Sequence, residues 1–133
     1  MYNRFLIYLI LILISIYLHN RTKSEEVKKK YTRKIILIEI FHHFISNYAT
    51  FGSILFGYHK IHLTVLLIIG ALWVTSNDYT CPITIYCNER TGQKDVKDFK
   101  DLKYHLSELF NLNLFIILVL LICYDLYFIF KNN

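Results

Sequence analysis

Five ionisable side chains lie inside otherwise apolar stretches of this chain, and their types could carry chemistry. They are Glu39, His42, His43, His62 and Asp125. Ionisable groups are expensive to place in apolar segments and are therefore often functional. Carboxylates and imidazoles together can hold a metal ion, relay protons or pair with each other inside a helical bundle. Their spacing decides which of these roles is open to them.

The spacing weighs against a metal or haem site. Glu39 and His42 form one Glu-x-x-His pair, whereas di-metal carboxylate bundles use that motif twice with two further Glu residues. His43 and His62, the candidate haem ligands, are expected to differ in depth by about 10–15 Å. We therefore predict no catalytic residue, no metal and no cofactor, and expect one histidine to hydrogen-bond Glu39. The alternative is a redox or haem-binding membrane protein that uses His42 or His43 with His62.

The apolar stretches around these residues predict membrane-spanning helices. A span needs about 20 apolar residues. Four stretches, with their flanks, approach this length: residues 2–19, 35–57, 58–76 and 109–130. Gly57 can end the second stretch in a left-handed conformation, so the second and third are expected to form a short antiparallel hairpin. The first has no small residues for signal-peptide cleavage and is interpreted as a retained span. The sequence thus predicts an all-α polytopic membrane protein with one domain, 1–133, and two long loops, 20–34 and 77–108.

The basic residues predict how the spans are oriented. Twelve of the fifteen Lys and Arg residues lie within residues 19–34 and 77–108. Basic loops remain on the cytoplasmic side, so both loops are predicted there and both termini on the opposite side. A three-span threading would separate the two basic segments. We therefore expect the net charge of +5 to interact with anionic lipid head groups and not with nucleic acid.

Depth along the spans predicts two polar layers. At about 1.5 Å per residue, Glu39 and His42 or His43 form an inner layer, and His62 and Asp125 form an outer one. We expect Asp125 to face the bundle beside His62. We expect the inner layer to meet a turn formed by Cys81, Pro82 and Thr84, and Thr84 to cap the segment after this turn.

The second loop also carries an amphipathic pattern before the last span. Val96, Phe99, Leu102, Leu106 and Leu109 recur at spacings of three and four, with Lys and Asp between them. This pattern predicts an interfacial helix that runs into the span. A solvated helix with weak ion pairs is the other interpretation.

A set of residues in the middle of the chain resembles a known family. The set is His43, Gly52, His62 followed by Leu63, and Cys-Pro-Ile-Thr at residues 81–84. It resembles small bacterial membrane proteins of unknown function with a His, Gly, His-Leu and Cys-Pro-Leu-Thr pattern, and covers residues 42–90. The resemblance implies a helical membrane fold and marks His43, His62 and Cys81, but implies no activity.

No motif in the chain names a substrate or reaction. We predict a structural or assembly role in a membrane complex, with other membrane proteins or further copies of the chain as partners. Proton or ion conduction is a third possibility. The residue usage indicates an AT-rich genome, and leaves organellar, viral and cellular membranes open as the location.

Overall fold

The computed structural model describes residues 2–76, 80–93, 96 and 99–132 of the chain. Within them every regular element is an α-helix, which confirms the predicted all-α class. In chain order the helices are α1 (Tyr2–Arg21), α2 (Glu25–Lys29), α3 (Arg33–Phe56), α4 (His59–Thr75), α5 (Pro82–Thr91), α6 (Leu102–Leu109) and α7 (Leu114–Lys131).

Helices α3 and α4 form the short antiparallel hairpin that the sequence predicts. The Thr32 side chain caps the start of α3 by accepting from the backbone N–H of Ile35. At the other end Gly57 adopts a left-handed φ of 72°, and its N–H donates to the carbonyl of Ser53. Only Gly57 and Tyr58 then separate the two helices, so residues near this turn are brought close together.

The long helices pack in the order α1, α3, α4 and α7, so α3 lies between α1 and α4. Helix α5 packs on α3, while α6 contacts α1, α3 and α7. The apolar core is small. Ala49, Leu66 and Leu118 form it, with Ile69, Trp73, Leu121 and Ile122 around them.

The distribution of polar and apolar residues is the reverse of that in a water-soluble protein. Among the described residues, seventeen polar or charged residues are buried but only seven apolar ones. Large apolar side chains instead cover the outside, for example Leu13 at 66% exposure and Leu37 at 66%. In water the opposite arrangement is expected, since exposed apolar patches are normally small.

Two helices, α1 and α7, are long and apolar enough to cross a membrane. Helix α4 is apolar but has 17 residues. Helix α3 has 24 residues, and ten of them are buried, among them Glu39, His42 and His43.

The two connecting segments contain more helix than the sequence indicated. Helix α2 lies in the first, and α5 occupies residues interpreted as a turn and loop. Pro82 is at the first turn of α5, where a missing N–H costs nothing. The predicted interfacial helix is shorter than expected: α6 begins at Leu102, capped by Asp101. Of the preceding predicted residues, 94–95 and 97–98 lie outside the described part.

Candidate functional site

The first candidate site is a buried group around Asp125, called here the Asp125 cluster: Ser53, His59, His62 and Asp125. Asp125 and His62 are both fully buried at 0% exposure. The Asp125 carboxylate lies 2.5 Å from Nδ1 of His62 and 3.0 Å from Nδ1 of His59, and it accepts from the Ser53 hydroxyl. The cluster therefore joins α3, α4 and α7 through one carboxylate.

The predicted contact between His62 and Asp125 is thus present. The second ring nitrogen of His62, Nε2, makes a contact that was not predicted. Nε2 lies 3.1 Å from the carbonyl oxygen of Tyr48 and 3.2 Å from that of Ala49. A carbonyl can only accept, so Nε2 carries a hydrogen. The hydrogen bond between Nδ1 and the carboxylate then needs a proton on one of these two atoms.

The second candidate site, the Glu39 cluster, consists of His19, Lys23, Tyr31 and Glu39. Lys23 Nζ donates to Glu39 at 2.6 Å and the Tyr31 hydroxyl donates at 2.5 Å. His19 Nε2 lies 3.4 Å away. The Lys23 ammonium also sits 4.2 Å from the centre of the Tyr31 ring. The Glu39 charge is therefore neutralised by a lysine from the segment that connects α1 to α3.

Burial shifts the pKa values of Lys23 and Tyr31 in this segment and of Cys87 on α5. Desolvation lowers the pKa of Lys23, and the hydrogen bond and charge of Glu39 oppose this shift without cancelling it. Burial raises the pKa of Tyr31, and its hydrogen bond to Glu39 raises it further. On α5, burial and then the nearby Glu39 charge raise the pKa of Cys87 to about 11. The raised pKa values keep Tyr31 and Cys87 protonated at neutral pH, and the contact of Lys23 with Glu39 at 2.6 Å has the geometry of a buried ion pair.

Three histidines, His19, His42 and His43, surround Phe99, which lies outside any helix. The Phe99 ring centre is 4.1 Å from that of His19, 4.0 Å from His42 and 4.8 Å from His43. His43 Nδ1 lies 2.9 Å from the Ser15 hydroxyl, which accepts from the backbone N–H of Leu102. Phe99 therefore closes the loop end of the bundle over three imidazoles.

One carboxylate was missed entirely because its Lys-Asp surroundings indicated a solvated surface. Asp101 is 1% exposed, accepts from the Ser46 hydroxyl and caps α6 at the backbone N–H of Tyr104. Burial alone would raise its pKa, but the charge of Lys103 and these hydrogen bonds together lower it. The available signal was that an Asp, a common helix-capping residue, directly precedes Leu102, an apolar residue of the helical pattern.

Two predictions about the inner layer are wrong. The histidine that contacts Glu39 is His19, and neither His42 nor His43 does so. Glu39 is bonded by His19, Lys23 and Tyr31 and not by the segment of Cys81 and Pro82. Thr84 does not cap α5; its hydroxyl is buried with no hydrogen-bond partner among the described residues.

The geometry also bears on the histidines considered as ligands. His43 lies at Ser15 and His62 at Asp125, so the two candidate haem ligands belong to different clusters. His59 also belongs to the Asp125 cluster. In the part of the chain that the structure describes, no group of three or more His, Cys, Asp or Glu side chains is placed to hold a metal ion.

No protein-family model, curated protein or solved structure matches this chain. The resemblance at residues 42–90 therefore stays a prediction.

Proposed function

We propose that this chain is an integral membrane protein in which α1, α3, α4 and α7 all cross the bilayer, and that it has a structural or assembly role in a membrane complex. The observation that carries the proposal is the composition of the two faces of α3. Helix α3 is the helix to consider because it has 24 residues but is not among the helices that are long and apolar enough to cross a membrane by composition alone.

Helix α3 turns its polar side chains into the bundle and its apolar ones outward. The buried polar residues recur at spacings of three and four: Glu39, His42, His43, Ser46, Asn47, Thr50 and Ser53. Beyond Arg33 and Lys34, which are exposed in its first turn, the exposed residues of α3 are all large and apolar: Ile36, Leu37, Phe41, Phe44 and Ile54. A hydrocarbon environment favours this arrangement, because polar groups there must find partners inside the protein.

A structural role is supported by how the buried charges are used. Glu39 is paired with Lys23, and Asp125 is held by His59 and His62. Hydrogen bonds between helices of this kind hold membrane bundles together. The apolar outer surface is then available to lipid and to other membrane proteins, including further copies of the chain.

The orientation proposed is the one that the basic residues favour. Twelve of the fifteen Lys and Arg residues flank or fill the α1–α3 and α4–α7 connections, and four crossings put both connections on one side. We assign that side to the cytoplasm and both termini to the opposite face.

Membrane extraction and reporter fusions test the proposal. The full chain should remain in the membrane pellet after alkaline carbonate extraction. A phosphatase fused after Asn133 should be active outside the cytoplasm, and the same reporter inserted after Lys29 should be inactive. Release by carbonate would refute the membrane location, while an active reporter at Lys29 would refute the four-span orientation.

A second function, proton transfer across the membrane, is favoured by the same α3 stripe. It runs from the Glu39 cluster to Ser53, which donates to Asp125. Titratable groups therefore lie at both ends of a buried row of hydroxyl, amide and imidazole groups. Purified protein in liposomes containing a pH-sensitive dye should then dissipate an imposed proton gradient, and Asp125→Asn should stop the flux. Equal leakage with and without protein would eliminate this function.

A further inference from the structure

We propose that the cavity between α3, α4 and α7 binds one anionic phospholipid, with its phosphate at Lys103 and its acyl chains along the helices. The site goes beyond the structural role proposed above, and it rests on the membrane location. It is distinct from both the Asp125 and the Glu39 clusters.

The cavity has the size and lining of a lipid site. Its volume is about 970 Å³. This is at the upper end of the roughly 300–1,000 Å³ found for sites that enclose small molecules. Apolar side chains from three helices form most of its wall, among them Leu66, Ile69, Leu118 and Leu121. It is half-open, so a molecule can enter it from outside the helical bundle.

Several polar residues of the wall, among them Thr84 and Lys103, belong to the connection between α4 and α7 and lie at the loop end of the cavity. Among the described residues of the wall, Lys103 is the one cation, and its Nζ sits 4.9 Å from the centre of the Trp73 ring. Tryptophan and lysine are the residues that meet head groups at a membrane interface. Trp73 lies two residues before the end of α4, at the level where the basic segment begins.

Two buried polar groups in the same wall lack a partner within the described part of the protein. Nδ1 of His42 and the hydroxyl of Thr84 make no hydrogen bond to any described residue. His42 is 8% exposed and Thr84 is 0% exposed. Unpaired polar groups at these positions are costly, and a ligand with several acceptor oxygens relieves that cost. A phosphate diester offers such oxygens, whereas an acyl chain does not.

The charge near this end favours an anion even when the neighbouring carboxylate is considered. The Asp101 carboxylate interacts electrostatically with Lys103, but its oxygens already accept from the Ser46 hydroxyl and from the Tyr104 backbone. Lys103 contacts the Trp73 ring and forms no ion pair within 4.0 Å among the described residues, so its ammonium can still bind a phosphate.

The single tryptophan of the chain gives a direct probe, because Trp73 is in the cavity wall. The full chain is reconstituted in phosphatidylcholine bilayers that contain a small fraction of brominated phosphatidylglycerol or, for comparison, brominated phosphatidylcholine. Quenching of Trp73 is measured relative to unbrominated lipid. We expect phosphatidylglycerol to quench at about fivefold lower mole fraction, the effect of one lysine near a lipid phosphate.

Three variants separate a specific site from general attraction to the basic loops. Lys103→Gln should remove the preference, whereas Lys100→Gln, which removes the same charge outside the cavity, should retain it. Thr84→Val preserves the side-chain shape and breaks no hydrogen bond between described residues; it should weaken the preference and leave the unfolding temperature unchanged. If Lys103→Gln does not fold, Thr84→Val alone still tests the site.

Each contrary result has a separate meaning. Equal quenching by both lipids in the wild type, or equal preference in Lys103→Gln and Lys100→Gln, overturns the lipid site. Loss of the preference when inorganic phosphate is added at constant ionic strength overturns it in favour of free phosphate. Failure of the chain to enter membranes would instead be seen in the carbonate extraction, and would refute the proposed function.

Discussion

The buried carboxylates of the two clusters are each stabilised by hydrogen-bond partners, but the partners come from different parts of the chain. Asp125 is held entirely by residues of long helices, namely Ser53, His59 and His62. Glu39 is held mainly by Lys23 and Tyr31, which lie in the segment between α1 and α3. The first is therefore a contact between helices, and the second is a contact by which a connecting segment closes over a helix end.

This difference predicts that the Asp125 cluster is the more sensitive of the two to mutation. Removing one partner of a buried pair leaves the other charged or polar groups unpaired, at about 3–5 kcal/mol. Asp125 is 0% exposed and has three such partners. Asp125→Leu should therefore lower the free energy of unfolding in detergent by about that amount. Adding His62→Leu should restore part of the loss, because both partners are then apolar.

Unchanged stability in Asp125→Leu would mean that the carboxylate does not hold the helices together. An equal loss in the single and double variants would mean that His62 is not its main partner.

Lys23→Met should cause the next largest loss of unfolding free energy, and it tests the Glu39 cluster as Asp125→Leu tests the Asp125 cluster. It removes the ammonium at 2.6 Å from Glu39 but leaves Tyr31 and His19 in place. Hydrogen bonds to charged groups contribute about 1.5–3 kcal/mol, so we expect a loss of about 2 kcal/mol. Denaturant unfolding of this variant beside Asp125→Leu measures the difference. Lys29→Met, at an exposed position, is the matched control and should be neutral. A larger loss in Lys23→Met than in Asp125→Leu would reverse the order of the two clusters.

Asp101 should make the free energy of unfolding depend on pH, with a smaller effect than the two variants above. Its pKa is lower in the folded protein than its ordinary value, despite its burial, because of Lys103, Ser46 and the Tyr104 N–H. A carboxyl of this kind stabilises the fold above its unfolded pKa of about 4, and the contribution is lost as pH falls further. Asp101→Asn should preserve the helix cap but lose about 1 kcal/mol at neutral pH. The difference from wild type should shrink below about pH 4; a difference that stays constant with pH would assign it to packing.

The rate at which the Cys87 thiol is modified measures whether the connecting segment covers Glu39, and it does so without a mutation. Cys87 is 1% exposed, and burial raises its pKa to about 11. Reaction with a thiol reagent at neutral pH should therefore be at least about tenfold slower than in denatured protein. Cys81, which is half-buried, is the internal comparison. Equally fast modification of the two, measured by mass spectrometry of peptides, would show that the segment over Glu39 is open.

The low reactivity expected of Cys87 also changes how the topology is tested. Labelling of this residue from the cytoplasmic side looks suitable from the sequence, because it lies in a loop. A buried thiol on α5 would resist labelling from either side, so it says nothing of orientation. Reporters at exposed positions such as Lys29 avoid this difficulty.

Regular helix geometry accounts for the contacts that were predictable from the sequence. The contact between His62 and Asp125 came from counting residues along two spans, and the α3–α4 hairpin came from Gly57. The partners of Glu39 could not be obtained in this way, because Lys23 and Tyr31 lie in a segment with no long period that would predict its path. Phe99 was assigned to the apolar face of an interfacial helix, and its contacts with three histidines were not predicted. The burial of Asp101 was missed because alternating Lys and Asp residues indicate solvent when their neighbours in space are unknown.

The polar face of α3 has a consequence for the order in which the chain enters a membrane. Alone in a bilayer, α3 would expose Glu39 and two histidines to lipid tails, where one charged residue costs about 2.5–3.5 kcal/mol near the centre of a span. The helices that shield this face are α1, synthesised before it, and α4, which begins two residues later. Helix α3 is therefore expected to stay beside the translocation machinery until α4 emerges, so that the hairpin inserts as one unit.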